Sequence, residues 1–420
     1  MFPSLPFPQE VVAIIMDYLH IDRATLLNCA RANKQLAYEA QSHLFRTIDI
    51  GDKATLDKFV NVLKIYPGQR PRGDLINHVR IIKLRAGTPS SYSGLGSIAS
   101  EAWPWLLEVT NLSGVLRNVQ GLHFEGFDWR VHPVNATLLS AFRKFKGVSE
   151  LGLLKCKFTT FKDCEAFFAA CKGLTRLSID VPTWEAIRRK GEDIDEPQAC
   201  VEVVQFDKRA HRLTFLRIGR TCPVYPVKSW LATTSSLRYL RDLCLDELDP
   251  SDIADAGHML SQLGRNLVRL KLGCRYDSDY WSQWKITDHI QLSRNTNLRS
   301  LHLGLIDTQD LLMIWVPLVL GQTRALESLT FDIRLWMQSQ LNGENWNKLE
   351  EVLLGDRFPR VTFVQKGNVD QQGPLDLEGT KAVLRARFPR LSAFNKPQRL
   401  YIVEEQKHAS KPRPRYQFAY

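Results

Sequence analysis

No apolar run in this sequence is long enough to cross a bilayer. The longest, LLMIWVPLVL from Leu311 to Leu320, covers ten residues and contains a proline, whereas a membrane-spanning helix needs about 20. It reads as a buried helix. The N-terminal MFPSLPFPQE lacks a basic region followed by a bare apolar run, so no secretory signal is expected. The eight cysteines (Cys29, Cys156, Cys164, Cys171, Cys200, Cys222, Cys244 and Cys274) include no C-x-x-C pair, and no histidines pair at zinc-finger spacing. Scattered singly among apolar residues, they read as reduced structural thiols of a cytoplasmic or nuclear protein, with no metal site.

Catalytic signatures are missing too. The chain has no G-x-S-x-G elbow, P-loop, H-E-x-x-H or dinucleotide fingerprint. Gly94 to Ser97 (GLGS) sits in the Gly/Ser-rich stretch 86–100, without the strand–turn–helix context a phosphate loop requires. No catalytic residue and no cofactor is therefore expected. The net charge is +11, but basic residues alternate with acidic ones and no recognition motif appears, so neither nucleic acid nor membrane is the expected partner. Part of the excess lies in residues 405–420, where Lys407, Lys411, Arg413 and Arg415 meet little apolar content. That segment reads as a basic, disordered tail.

What the chain does contain is a repeat. The pattern apolar-x-x-apolar-x-apolar occurs as VRIIKL (from Val79), VQGLHF (Val119), VSELGL (Val148), LTRLSI (Leu174) and LTFLRI (Leu213). It continues as LRDLCL (Leu240), LVRLKL (Leu267), LRSLHL (Leu298), LESLTF (Leu326) and FPRVTF (Phe358). The last three positions alternate apolar, polar, apolar, as a strand with one buried face does. The second apolar position falls at 122, 151, 177, 216, 243, 270, 301 and 329, in steps of 29, 26, 39, 27, 27, 31 and 28 residues. The charged insertion 188–198 accounts for the long step.

Between strands the spacing turns helical. FKDCEAFFAACK carries Phe161, Cys164, Phe167, Phe168 and Cys171, and PSDIADAGHMLSQLG runs from Pro250 at a first helical position to Gly264 as C-cap. Strand, turn and helix in repetition predict an α/β fold of stacked units, with parallel strands and outer helices. The pattern resembles the leucine-rich repeat superfamily over residues 75 to 404. That superfamily often has Asn or Cys three residues after the strand motif. Cys156 fits the place, while Pro182, Thr221, Leu248, Arg275, Ile306 and Arg334 do not. An irregular solenoid is expected.

Residues 8 to 45 predict three short helices. The first has Pro8 at its first position and Glu10 in its first turn. The second is capped by Asp22, and the third is capped by Asn33 and runs to Phe45. In the first helix all residues from Val11 to Leu19 except Ala13 and Asp17 are large and apolar. One buried face would use Val11, Ile14, Ile15 and Tyr18, so the helix must be covered on a second side, by the repeats or by another protein.

Here the residues resemble the F-box family. Its motif runs Leu-Pro-x-Glu, two aliphatics, two variable positions, two aliphatics, two variable positions and Leu. Phe7, Pro8, Gln9, Glu10, Val11, Val12, Ala13, Ile14, Ile15, Met16, Asp17, Tyr18 and Leu19 stand in that register. Asp22, Leu26, Leu27 and Cys29 follow as in the family, and HLFRTIDI (His43 to Ile50) resembles the end of fungal F-boxes. Phe7 replaces the family's Leu, and Leu36 stands where the family has Trp. An F-box followed by leucine-rich repeats is a recurrent domain order in that family.

The resemblance implies an F-box-like domain over 1–50, a leucine-rich-repeat-like solenoid over 51–404, and the tail. It implies a substrate-recognition subunit of an SCF-type cullin–RING ubiquitin ligase, bound to a Skp adaptor and through it to cullin. Phe7, Pro8, Glu10, Val11, Val12, Ile15, Leu19, Leu26 and Leu27 would be shared between the adaptor interface and the F-box's own small core. The alternative is a leucine-rich-repeat interaction scaffold with no ligase role.

In such repeats the positions flanking the middle strand residue form one surface, where Arg176, Arg217, Arg269, Lys271 and His302 are expected to meet a protein substrate. Ten strands offer six basic and two acidic residues there, which suggests an acidic or phosphorylated partner. Trp103, Trp105, Trp129, Trp281, Trp284, Trp336 and Trp346 lie in connecting segments, where packing uses tryptophan more often than binding does.

Overall fold

The repeated motif turns into one buried entry residue and one short parallel strand. A computed structural model of the chain describes residues 7–20, 22–64, 73–86, 104–131, 133–181, 211–220, 222–274, 286–307, 315–324, 326–334, 341, 343–355, 358, 360–365, 377–393 and 400–404. Most of the Gly/Ser-rich stretch, the insertion 188–198, the tail, and Cys200, Trp103, Trp281, Trp284 and Trp336 lie outside these residues. The chain divides into two units, Met1–Leu213 and Thr214–Tyr420.

In the first unit, strands β1 (Thr47–Ile50), β2 (Ile81–Arg85), β3 (Gly121–Glu125), β4 (Glu150–Leu154) and β5 (Arg176–Asp180) pair in parallel in chain order. β1 belongs to this sheet, pairing Thr47 with Ile81, so the sheet starts inside the segment that resembles the end of an F-box.

The second unit has β6 (Phe215–Ile218), β7 (Asp242–Leu248), β8 (Arg269–Cys274), β9 (Ser300–Asp307), β10 (Ser328–Arg334), β11 (Val361–Gln365) and β12 (Leu400–Glu404). These too pair in parallel in chain order. Strand order equal to chain order within each unit is the arrangement of a repeat protein, in which each unit covers its neighbour's apolar face.

Burial explains the register. All three apolar positions of all ten motif copies are buried. In the second unit Leu216, Leu243, Leu270, Leu301, Leu329 and Val361 form one column. Ile218, Leu245, Leu272, Leu303, Phe331 and Phe363 form the next. Burying each such side chain contributes about 1.5–3 kcal/mol. A one-residue slip would turn a whole column outward.

The outer helices follow the sequence closely. Phe161–Ala170 begins with a reciprocal capping box between Thr160 and Asp163. Of the stretch from Pro250, a single 3-10 turn takes Pro250–Asp252, and the α-helix proper is Ile253–Leu263, ended by Gly264 at φ +47°. The described part of the apolar run, Trp315–Gly321, is a helix that buries Trp315, Val316, Pro317, Val319 and Leu320.

The described tryptophans pack rather than project. Trp129 lies 5.1 Å, ring to ring, from Phe167, which is 5.1 Å from Phe124. Trp105, Trp129 and Trp346 are all buried. The seven described cysteines are free thiols.

A polar ladder ties the repeats together, but ahead of the strand motif rather than after it. The Nδ2 of Asn118 donates to the carbonyl oxygen of Asn77 (3.2 Å), that of Asn266 to Leu237 (3.3 Å) and that of Asn297 to Arg265 (2.8 Å). Each bond reaches back one repeat and satisfies a backbone acceptor in a turn. After the strand, Cys156 donates from Sγ to the carbonyl of Phe124 at 3.4 Å. Burial pushes its thiol up to about 12, so it stays protonated.

Candidate functional site

The first three helices are α1 (Gln9–Leu19), α2 (Arg23–Ala32) and α3 (Lys34–Leu44). Pro8 is the N-cap of α1 rather than its first residue, and Phe45 is the C-cap of α3 rather than its last helical residue. Asp22 accepts the amide of Thr25 at 3.1 Å, and Asn33 accepts that of Gln35 at 2.8 Å.

α1 has two apolar faces with different fates. Val12 and Met16 are buried with Leu26, Ala40 and Leu44, and Leu19, Cys29, Ala30, Leu36 and Phe45 pack around them. Val11, Ile14, Ile15 and Tyr18 fall within a second arc of roughly 100°. They are exposed, to 38%, 56%, 41% and 82%. Gln9, Glu10 and Asp17 occupy the remaining polar arc.

The residues assigned to adaptor binding therefore divide. Phe7, Pro8, Glu10, Val11, Ile15 and Leu27 are exposed, whereas Val12 and Leu26 are buried in the helical core and Leu19 is half-buried against it. Val11, Ile14, Ile15 and Tyr18, expected as the buried face, are instead the exposed one, because Val12 and Met16 enter the core with α2 and α3; Ile14 and Tyr18 lie outside the adaptor set because the family motif leaves their positions variable. Leu36, at the family's Trp place, packs against the core.

The strand face is built by register. Glu150 pairs with Arg176, Asp242 with Arg269, and Lys271 with His302. Each of the five predicted substrate-binding residues has a carboxylate beside it. Arg176 Nε lies 3.5 Å from Glu150, which also meets His123 at 2.9 Å. Arg217 Nε donates to Asp246 at 2.6 Å, and Lys271 Nζ reaches the same carboxylate at 2.9 Å. Arg269 Nε donates to Asp242 at 2.7 Å, and His302 lies 2.8 Å from Asp332, itself 2% exposed.

Burial would raise the Asp246 carboxyl, but Lys271 and Arg217 outweigh it and hold it below the ordinary carboxylate range. For Glu150 the hydrogen bond from His123 leads the same downward shift, against burial. The basic lean of this face in the sequence is thus largely neutralised within the face itself.

On the helical side, Asp252 caps a helix of the preceding repeat. Its Oδ1 accepts the amide of Val224 at 3.0 Å, at the start of Val224–Thr233, whose own N-cap is Pro223. Burial pushes its carboxyl up to about 6, against the Val224 bond and with help from Asp249 and Asp255. The folded state then holds this proton more tightly than the unfolded chain. Stability from the shift is present in acid and lost as pH rises through about 6.

Asp252→Asn keeps the acceptor and removes the charge. It should raise stability at pH 7.5 by about 1 kcal/mol after allowing for partial exposure, seen as a higher melting temperature, and have little effect at pH 4. A melting series across that range checks it, and an unchanged or lowered melting temperature at pH 7.5 contradicts it.

Among the described residues no group of three or more His, Cys, Asp or Glu side chains could hold a metal ion, and no helix is long and apolar enough to cross a membrane. Compared with protein-family models and with the curated proteins, the chain matches none.

Proposed function

We propose that this chain is the substrate-recognition subunit of an SCF-type cullin–RING ubiquitin ligase, acting in the cytoplasm or nucleus. In this reading α1–α3 dock on a Skp adaptor and the repeats hold a protein substrate. The observation that carries it is the second apolar face of α1. Val11, Ile14, Ile15 and Tyr18 are not needed by the core beneath them, and they lie in the segment that keeps the F-box register. An exposed apolar arc of this size marks an interaction surface. Catalysis then belongs to other subunits, and this chain supplies proximity.

The test is co-purification of the full chain with a Skp adaptor, beside Ile14→Asp/Tyr18→Lys. Both side chains are exposed, so the variant should melt within about 1 °C of the parent, since surface changes cost little. Capture should weaken at least tenfold, as loss of central apolar anchors does. Failure of the well-folded parent to bind the adaptor overturns the ligase reading.

A further inference from the structure

At the end of the second unit where the chain enters the strands, a cleft of about 540 Å³ opens among Arg238, Arg241, Arg265, Arg299 and Val268. Repeat register builds it. Arg241 follows the same rule as Val268 and Arg299, because the carbonyl of each accepts the two amides that open the next strand. Arg241 receives Val268 and Arg269, Val268 receives Arg299 and Ser300, and Arg299 receives Glu327 and Ser328. The three positions form one column across adjacent strands, which stand about 4.8 Å apart. Val268 is the apolar floor between two arginines. Arg238 and Arg265 form a second column, each four residues ahead of the first residue of β7 or β8.

The charge balance here is the opposite of that on the strand face. Arg299 meets Glu327 at 2.9 Å on the exposed rim. Among the described residues no carboxylate lies within ion-pair distance of Arg238, Arg241 or Arg265. All three are exposed and line the same concavity, a concentration of positive charge that favours a bound anion. Arginine presents a planar fork that matches phosphate oxygens two at a time. Among the described residues the lining offers no aromatic ring on which a base could stack, as single-stranded nucleic acid binding commonly uses, and it spans three repeats rather than a long track.

We infer that this cleft binds a phosphate monoester carried on a protein segment, held by Arg238, Arg241 and Arg265 with Arg299 at the rim. The site is built from residues of the second unit alone and needs no adaptor, so its test is separate from that of the ligase reading.

The probe is a fluorescein-labelled peptide pool with a fixed central phosphoserine, titrated against the full chain at 150 mM salt and followed by anisotropy. The unphosphorylated pool, inorganic phosphate and a single-stranded oligonucleotide are run beside it. The phosphorylated pool should bind at least tenfold more tightly than the unphosphorylated one. Arg241→Glu/Arg265→Glu should abolish that preference with an unchanged melting curve, while Lys172→Glu, at an exposed position of the first unit, should leave it intact. Equal binding of both pools, or a preference retained in the double variant, overturns the assignment. Inorganic phosphate binding as tightly as the peptide, or the oligonucleotide binding more tightly through the same arginines, overturns it in favour of a free anion or a nucleic acid.

Discussion

Gly257→Ala should lower the melting temperature by about 5–10 °C, although alanine is the better helix former by about 1 kcal/mol. Gly257 lies in the middle of the helix Ile253–Leu263, where it faces the backbone at the end of the helix Ile286–His289. A Cβ placed on it would overlap the carbonyl oxygen of His289 and come within 2.8 Å of the carbonyl carbon. Backbone cannot swing aside as a long side chain can, so the two helices must separate and open the packing between adjacent repeats. Overpacking of this kind costs roughly 1–3 kcal/mol beyond the propensity gain, and each kcal/mol moves a domain of this size by about 2–4 °C. Calorimetry of the full chain checks it. A variant as stable as the parent would mean that the helices are not held this close.

The second large effect is expected at Asp246. This carboxylate stands between Lys271 and Arg217 and accepts from both. Asp246→Ala should destabilise by about 2 kcal/mol, below the 3–5 found for fully buried pairs because both cations keep some access to water. Asp246→Asn, which retains shape but not charge, should recover part of the loss.

Acid provides the control. Because the folded carboxyl titrates below its ordinary value of 3.8, its contribution is present above that value and is lost as pH falls through the depressed one. The gap between parent and variant should therefore be full at pH 7 and shrink as the pH is taken below 3.8. Denaturant midpoints at the two pH values measure this directly. A gap that does not change with pH would assign the effect to packing rather than to charge.

Much of the repeat region was legible before any coordinates. The motif copies mark the strands because alternation with one buried face is a local property, and Asp22 and Asn33 mark helix starts for the same reason. β1 and β12 escaped notice because Thr47–Ile50 and Leu400–Glu404 lack the full motif and take their place in the sheet from neighbours.

The strand face reads as more basic in the sequence than it is in the fold, for a related reason. The partner of Arg269 is Asp242, one repeat away, and that of Arg217 is Asp246 on the next strand. A tally along the sequence sees two acidic residues among the flanking positions, but misses Asp246 and Asp332, which stand further along their strands. The core role of Val12 and Leu26 was equally hidden. α1 is apolar on two faces, and only the packing of α2 and α3 shows which of them is used.

Strand order that equals chain order has a consequence for how the molecule comes apart. Nearly every sheet contact joins residues about 25–40 positions apart, as the paired columns show, and no strand within a unit waits for a distant one to return. Cooperativity in such a stack is a sum over neighbouring interfaces. Opening can start at an end strand, such as β12, whose Val403 is already 43% exposed, without disturbing the middle. Amide protection should therefore fall away toward β12, leaving strands in the middle of the second unit, such as β9, among the last to exchange.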